Sequence, residues 1–245
     1  MNSDDSTASV IENLIRELGD AHKTVQRRAI DELVAIAATG NRFVTERLRE
    51  SVASTDRRVR WAAAYALGQI GSTAFAMDSA DALCEAMADD DGDIRWAATN
   101  LMVRLGQQNE NLVEIGARLL KLAATGDRNA RKMALYCIRD LEIAGPELLA
   151  VVEASVHDPD VHVRLAALSV LSRIRDASGQ SVRIMLECMK SDTDAGVRRA
   201  AASALGNIQN ATADAMAALA SAAADTGDES LARAARGALD RLEKR

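Results

Sequence analysis

One phrase recurs along this chain at a fixed interval, and that recurrence limits its fold more than any other feature. Arg60 sits inside RRVRWAAAYALGQIG, residues 57–71. If it is taken as position zero, the equivalent positions are Gln26, Arg60, Arg95, Arg131, Arg164, Arg198 and Ala232. They are separated by 34, 35, 36, 33, 34 and 34 residues. In all seven copies the residues at −1, +3, +7 and +10 are apolar, as in Val59, Ala63, Leu67 and Ile70 or Val197, Ala201, Leu205 and Ile208. Steps of four, four and three return to the same side of an α-helix, so each copy is a helix packed along one stripe.

Between these helices lie other amphipathic stretches, among them SVIENLIRELG, FVTERLRESV, PELLAVVEASV and SVRIMLECMK. The unit is therefore a helix pair of about 34 residues. A polar residue that favours turns or helix starts stands at −6: Asp20, Ser54, Asp89, Thr125, Asp158, Asp192 and Thr226. One pair cannot bury its own apolar stripes, so neighbours must stack to form the core. The reading is all-α: a short flexible tail at residues 1–7, then one continuous solenoid over 8–245. Its second helices centre near residues 30, 64, 99, 135, 168, 202 and 236. Two prolines and 2% aromatic residues oppose an all-β alternative. No secretory signal or membrane-spanning apolar run is visible. Cys84, Cys137 and Cys188 have no CxxC spacing and read as reduced thiols, so the expected compartment is cytoplasmic.

The segments DRRVRWAAAYALGQIG (56–71) and DAGVRRAAASALGNI (194–208) resemble the HEAT-like repeat, particularly the subtype found in phycobilin lyases. The resemblance extends over residues 8–243. It implies a right-handed α-solenoid of about seven helix pairs, with the second helix of each pair lining a concave groove.

The five interior copies carry Arg60, Arg95, Arg131, Arg164 and Arg198 beside the apolar stripe, where an unpaired charge is costly. Four residues before position zero stand Asp56, Asp91, Asp127, Asp160, Asp194 and Asp228, with His22 in the first copy. Pairing each arginine with the aspartate of the following repeat leaves no arginine unmatched. The expected ladder is Arg60 with Asp91, Arg95 with Asp127, Arg131 with Asp160, Arg164 with Asp194 and Arg198 with Asp228. The alternative, compatible with it, is that each aspartate caps its own helix.

Positions +1, +5 and +9 share a different stripe of the second helices, which the resemblance places in the groove. It holds Trp61, Trp96, Tyr65 and Tyr136, four of the protein's six aromatics. It also carries seven basic residues against two acidic, although the chain has a net charge of −6. Aromatic and arginine side chains are over-represented where proteins bind each other. The candidate binding residues are Trp61, Tyr65, Gln69, Trp96, Asn100, Arg104, Lys132, Tyr136 and Arg199, and the partner they suit is a protein segment with acidic residues around an apolar anchor. A filling role for the tryptophans, leaning over neighbouring alanines, is the competing reading.

No catalytic constellation, metal site or cofactor motif is legible. His22, His157 and His162 fall at turns, and Gly68 and Gly71 follow a helix rather than the strand that a phosphate loop requires. HEAT-like hydroxylases place His-Glu pairs at +1 and +2, where this chain has Trp61-Ala62, Trp96-Ala97 and Lys132-Met133. Gly68 and Gly206 read as points of close packing. The function expected is that of a non-enzymatic adaptor, scaffold or assembly factor. A lyase-like role in attaching a chromophore is the alternative, and a HEAT-like DNA glycosylase the second. The negative net charge opposes nucleic-acid binding.

Overall fold

The computed structural model describes residues 3–71, 78–107, 111–174, 179–208 and 212–244. Among them the regular elements are fourteen α-helices. They fall into seven pairs: α1 (Ser3–Glu17) with α2 (Lys23–Ala38), α3 (Arg42–Val52) with α4 (Arg57–Ile70), α5 (Asp78–Ala86) with α6 (Gly92–Gly106), and α7 (Leu112–Thr125) with α8 (Arg128–Asp140), then α9 (Pro146–Val156) with α10 (Val161–Leu171), α11 (Gln180–Ser191) with α12 (Ala195–Leu205), and α13 (Ala213–Ala224) with α14 (Glu229–Glu243). The chain is helical from Ser3 onward, inside the segment expected as a tail. No described helix is long and apolar enough to cross a membrane.

The chain divides into two compact units, residues 1–115 and 116–245, where one continuous domain was expected. The division falls inside α7, not at a linker. Each repeat of a stacked array touches only its neighbours, so such a chain can divide without a change in composition.

In the first unit α2 packs on α4 and α4 on α6, while α1, α3 and α5 form the second layer. Ile11, Leu18, Leu33, Leu48, Leu67, Leu83, Met87 and Met102 are fully buried between the layers. In the second unit α8, α10, α12 and α14 follow one another in the same way, against α9, α11 and α13. Its core includes Leu119, Met133, Ile138, Leu171, Met185 and Leu205. Every residue at −1, +3, +7 and +10 is buried or half-buried, so the periodic stripe of the sequence is the inner face of each second helix. Two glycines set how closely those helices approach. A Cβ on Gly68 of α4 would lie 2.5 Å from Leu101 of α6, and one on Gly206 would lie 2.6 Å from the Cα of Ala238 in α14.

Candidate functional site

The turn that opens each second helix is built by the same two positions. The residue at −4 is the N-cap: the carboxylates of Asp56, Asp91, Asp127, Asp160, Asp194 and Asp228 each accept from a backbone N–H in the first turn of their own helix. These bonds satisfy N–H groups that have no partner inside the helix. The residue at −6 holds the cap in place: Ser54 Oγ, Asp89, Asp158 and Asp192 accept from the backbone N–H of residues 56, 91, 160 and 194. The position-zero arginine then points back into its own turn. Arg60 Nη1 donates to the carbonyl of Ser54 at 2.7 Å, Arg164 to Asp158 at 2.9 Å and Arg198 to Asp192 at 2.9 Å, while Arg95 and Arg131 bond to Asp89 and Gly126. Gln26 does the same in the first repeat, donating to Leu18 at 2.7 Å.

The remaining guanidinium nitrogens reach forward; Arg198 meets the expected Asp228, and the other forward contacts go to different residues from those the sequence suggested. Arg131 grips Asp158 through Nε at 2.7 Å and Nη2 at 2.9 Å, not Asp160. Arg164 grips Asp192 at 2.9 and 3.1 Å, not Asp194. Asp160 and Asp194 are committed to their helix starts, whereas the −6 carboxylate faces the preceding repeat. The last repeat has Thr226 at −6, which offers no carboxylate, and there Arg198 bonds Asp228 at 3.1 Å. Arg60 pairs with Glu85 at 2.8 Å instead of Asp91. Asp91 takes Lys23 of α2, and Asp89 lies 3.6 Å from Arg57. The Lys23 ammonium, then the N–H of Asp93, hold the Asp91 carboxyl below the usual range. Arg95 belongs to the first unit and its expected partner Asp127 to the second. The column of −4 aspartates is nearly constant and stands out in the sequence. Asp158, Asp192 and Glu85 stand in columns that vary, so the sequence does not single them out.

The +1, +5 and +9 stripe lies at the surface of each unit, with one exception that matters. In the first unit Trp96 is 51% exposed, with Asn100 and Arg104 exposed one and two turns further along α6. Gln69 of α4 is also exposed. Trp61 is not: only 9% of it remains accessible, and the half-buried Tyr65 ring lies 5.2 Å from it, tilted by 49°. Trp61 therefore packs, as the competing reading held, and does not present its indole as the binding reading required. Trp96 has Asn100 where Trp61 has Tyr65, so no ring follows one turn on to cover it. In the second unit Arg199 and Arg173 are exposed, and Lys132 and Tyr136 are half-buried. The guanidinium of Arg139 stands 5.0 Å from the centre of the Tyr136 ring. Among the described residues no cluster of three His, Cys, Asp or Glu side chains could hold a metal ion.

Helix pairs joined by capped turns and stacked in two layers define the α-solenoid repeat proteins. Within that class, a family model described as HEAT repeats matches residues 11–102, and one described as HEAT repeat matches residues 182–212. The chain belongs to the HEAT-like repeat family. No curated protein matches it by sequence. Among solved structures it is similar to the archaeal HEAT-like repeats protein of Thermococcus onnurineus NA1, at 12% identity and a TM-score of 0.57, over 96% of this chain and 97% of that one. It is also similar to YibA of Escherichia coli, at 16% identity and a TM-score of 0.59, over 100% and 98%. A third likeness is to a chain in a structure of Kap95p binding to RanGDP, at 14% identity and a TM-score of 0.63. It covers 96% of this chain and 35% of that one. These identities speak for the fold alone.

Proposed function

We propose that this protein is a non-enzymatic adaptor, scaffold or assembly factor of the cytoplasm. It holds a segment of a partner protein against the +1, +5 and +9 stripe of its second helices. The observation that carries the reading is the exposed row Trp96, Asn100, Arg104 on α6: a half-exposed indole followed by an amide and a cation. Burying an indole against a partner removes on the order of 150–250 Å² from water, which favours Trp96 as the apolar anchor. Arg104 on the same helix favours acidic residues in the partner. The Kap95p structure, in which a repeat solenoid of this fold meets a protein, is in keeping with that role. Three thiols outside any disulfide suit a reducing compartment.

The test is affinity capture by the full-length protein and by its Trp96→Ala and Arg104→Glu variants, with the melting temperature of each recorded. A protein bound directly by the wild type and lost from both variants, at unchanged melting temperature, supports the reading. Identical captured sets from all three overturn it.

A further inference from the structure

The α4–α6 face of the first unit carries two matching pairs of side chains. Tyr65 precedes Gln69 by one helical turn on α4, and Trp96 precedes Asn100 by one turn on α6. Gly68 and Leu101, the immediate chain neighbours of Gln69 and Asn100, mark where the two helices press together; a Cβ on Gly68 would stand 2.5 Å from Leu101. Both amides are exposed, each next in the chain to a residue of that helix contact. Asn100 lies in the middle of α6, where asparagine is a poor helix former because its amide competes for backbone groups. Among the described residues no hydrogen bond to that amide occurs to offset that cost.

We propose that Gln69 and Asn100 read the main chain of an extended, acidic partner segment laid across α4 and α6, with an apolar side chain of that segment on Trp96 and a carboxylate at Arg104. This rests on the adaptor reading and gives its mode of recognition. A primary amide offers one donor and one acceptor group, the complement of a peptide N–H and C=O. Helices in contact lie roughly 8–10 Å apart, and an extended chain rises about 3.3 Å per residue. The two amides therefore meet backbone groups about three residues apart. A helical partner has its N–H and C=O groups already paired and cannot use them. On this stripe of the first unit the exposed cations Arg27 and Arg104 outnumber the one exposed carboxylate, Asp31, and favour acid over base along the segment.

The experiment uses full-length protein and three fluorescent twelve-residue probes: alternating Asp-Leu, the same peptide N-methylated at every second residue, and an amphipathic helical peptide of Glu and Leu. The first should bind best, with the N-methylated form at least tenfold weaker. Gln69→Ala and Asn100→Ala should each weaken the first probe at least fivefold, and Asn100→Ala should leave the melting temperature equal or higher. Equal binding of the N-methylated probe, preference for the helical one, or indifference to Asn100→Ala overturns main-chain readout. If Trp96→Ala still abolishes binding in that case, the adaptor reading stands without it. Failure of the wild type to bind any of the three overturns both.

Discussion

Asp192 receives Arg164 side-on from the preceding repeat, with Nε 2.9 Å from Oδ2 and Nη2 3.1 Å from Oδ1. The third nitrogen of the same guanidinium holds the carbonyl of Asp158, whose carboxylate is held by Arg131. Arg198 in turn holds the Asp192 carbonyl and the Asp228 carboxylate. Six charged residues thus form one hydrogen-bonded chain through four successive second-helix turns, each aspartate taking one arginine on its side chain, and Asp158 and Asp192 a second on the backbone.

That arrangement separates two aspartates that stand two residues apart. Arg164 and Asp192 are only 13% and 9% exposed at their side chains, so Asp192→Ala strands a largely buried cation. The expected cost is on the order of 2–3 kcal/mol, somewhat less than for a fully buried pair. Asp194→Ala removes only an N-cap and should cost about 1 kcal/mol. Urea unfolding of both variants checks the order. Equal losses would mean that the bidentate contact contributes no more than a cap.

Acid should weaken the protein in a defined window. The Leu231 N–H, then Arg198, hold the Asp228 carboxyl below its ordinary value; the His22 N–H and side chain do so for Asp20, and Lys23 and the Asp93 N–H for Asp91. A depressed carboxyl contributes stability that is present above the unfolded value of about 3.9 and is lost as pH falls through the lower folded value. Stability should therefore hold down to about pH 4 and decline below it. On the alkaline side burial pushes the Cys188 thiol up to about 11, with Asp192 and Glu187 adding to the effect. The unfolded thiol then ionises first, and stability falls between about pH 9 and 11. Urea midpoints across the pH range should show both declines, and Cys188→Ala should shrink the alkaline one. An alkaline profile identical in that variant would assign the decline to other groups.

The helix pairs were legible in the sequence because one-sided packing must repeat with the helix, and nothing but apolar residues fits at Leu67 or Leu205. The arginine partners were not. Asp160 and Asp194 recur at the distance a ladder would need, yet the backbone N–H groups of the next turn claim them first. Asp158 and Asp192 stand in a column that also holds Ser54 and Thr226, so the sequence does not single them out. Trp61 and Trp96 open the same phrase, and only their neighbours, Tyr65 and Asn100, tell a packed indole from an exposed one. Gln69, Asn100 and Arg104 lie exposed on the stripe, and their polarity bars them from the apolar face.

Gly206 and Gly68 both mark close helix contacts, but they should tolerate alanine differently. At Gly206 the new Cβ would meet the Cα and Cβ of Ala238 at 2.6 and 2.8 Å, and backbone cannot swing aside. Overpacking of this kind costs roughly 1–3 kcal/mol. At Gly68 the obstacle is the Cδ end of Leu101, which can rotate, and alanine regains up to about 1 kcal/mol of helix propensity. Gly206→Ala should therefore lower the melting temperature clearly and Gly68→Ala little. The reverse order would show that Leu101 is locked.

The two tryptophans should respond in opposite ways to the same substitution. Trp61 is buried to 9% exposure against the Tyr65 ring, so Trp61→Ala opens a cavity and should cost about 3 kcal/mol. Its effect on partner binding should be indirect and small once stability is restored by lower temperature. Trp96 has half its surface in water, so Trp96→Ala should change the melting temperature by little while weakening binding at least tenfold, about 1.4 kcal/mol or more. Fluorescence reads both states without a partner. The wild type should show two emitters, one blue-shifted and shielded from acrylamide, one red-shifted and readily quenched. Trp61→Phe should leave only the quenched emitter and Trp96→Phe only the shielded one. Two equally shielded indoles would place Trp96 in the packing and remove the anchor on which recognition by this face depends.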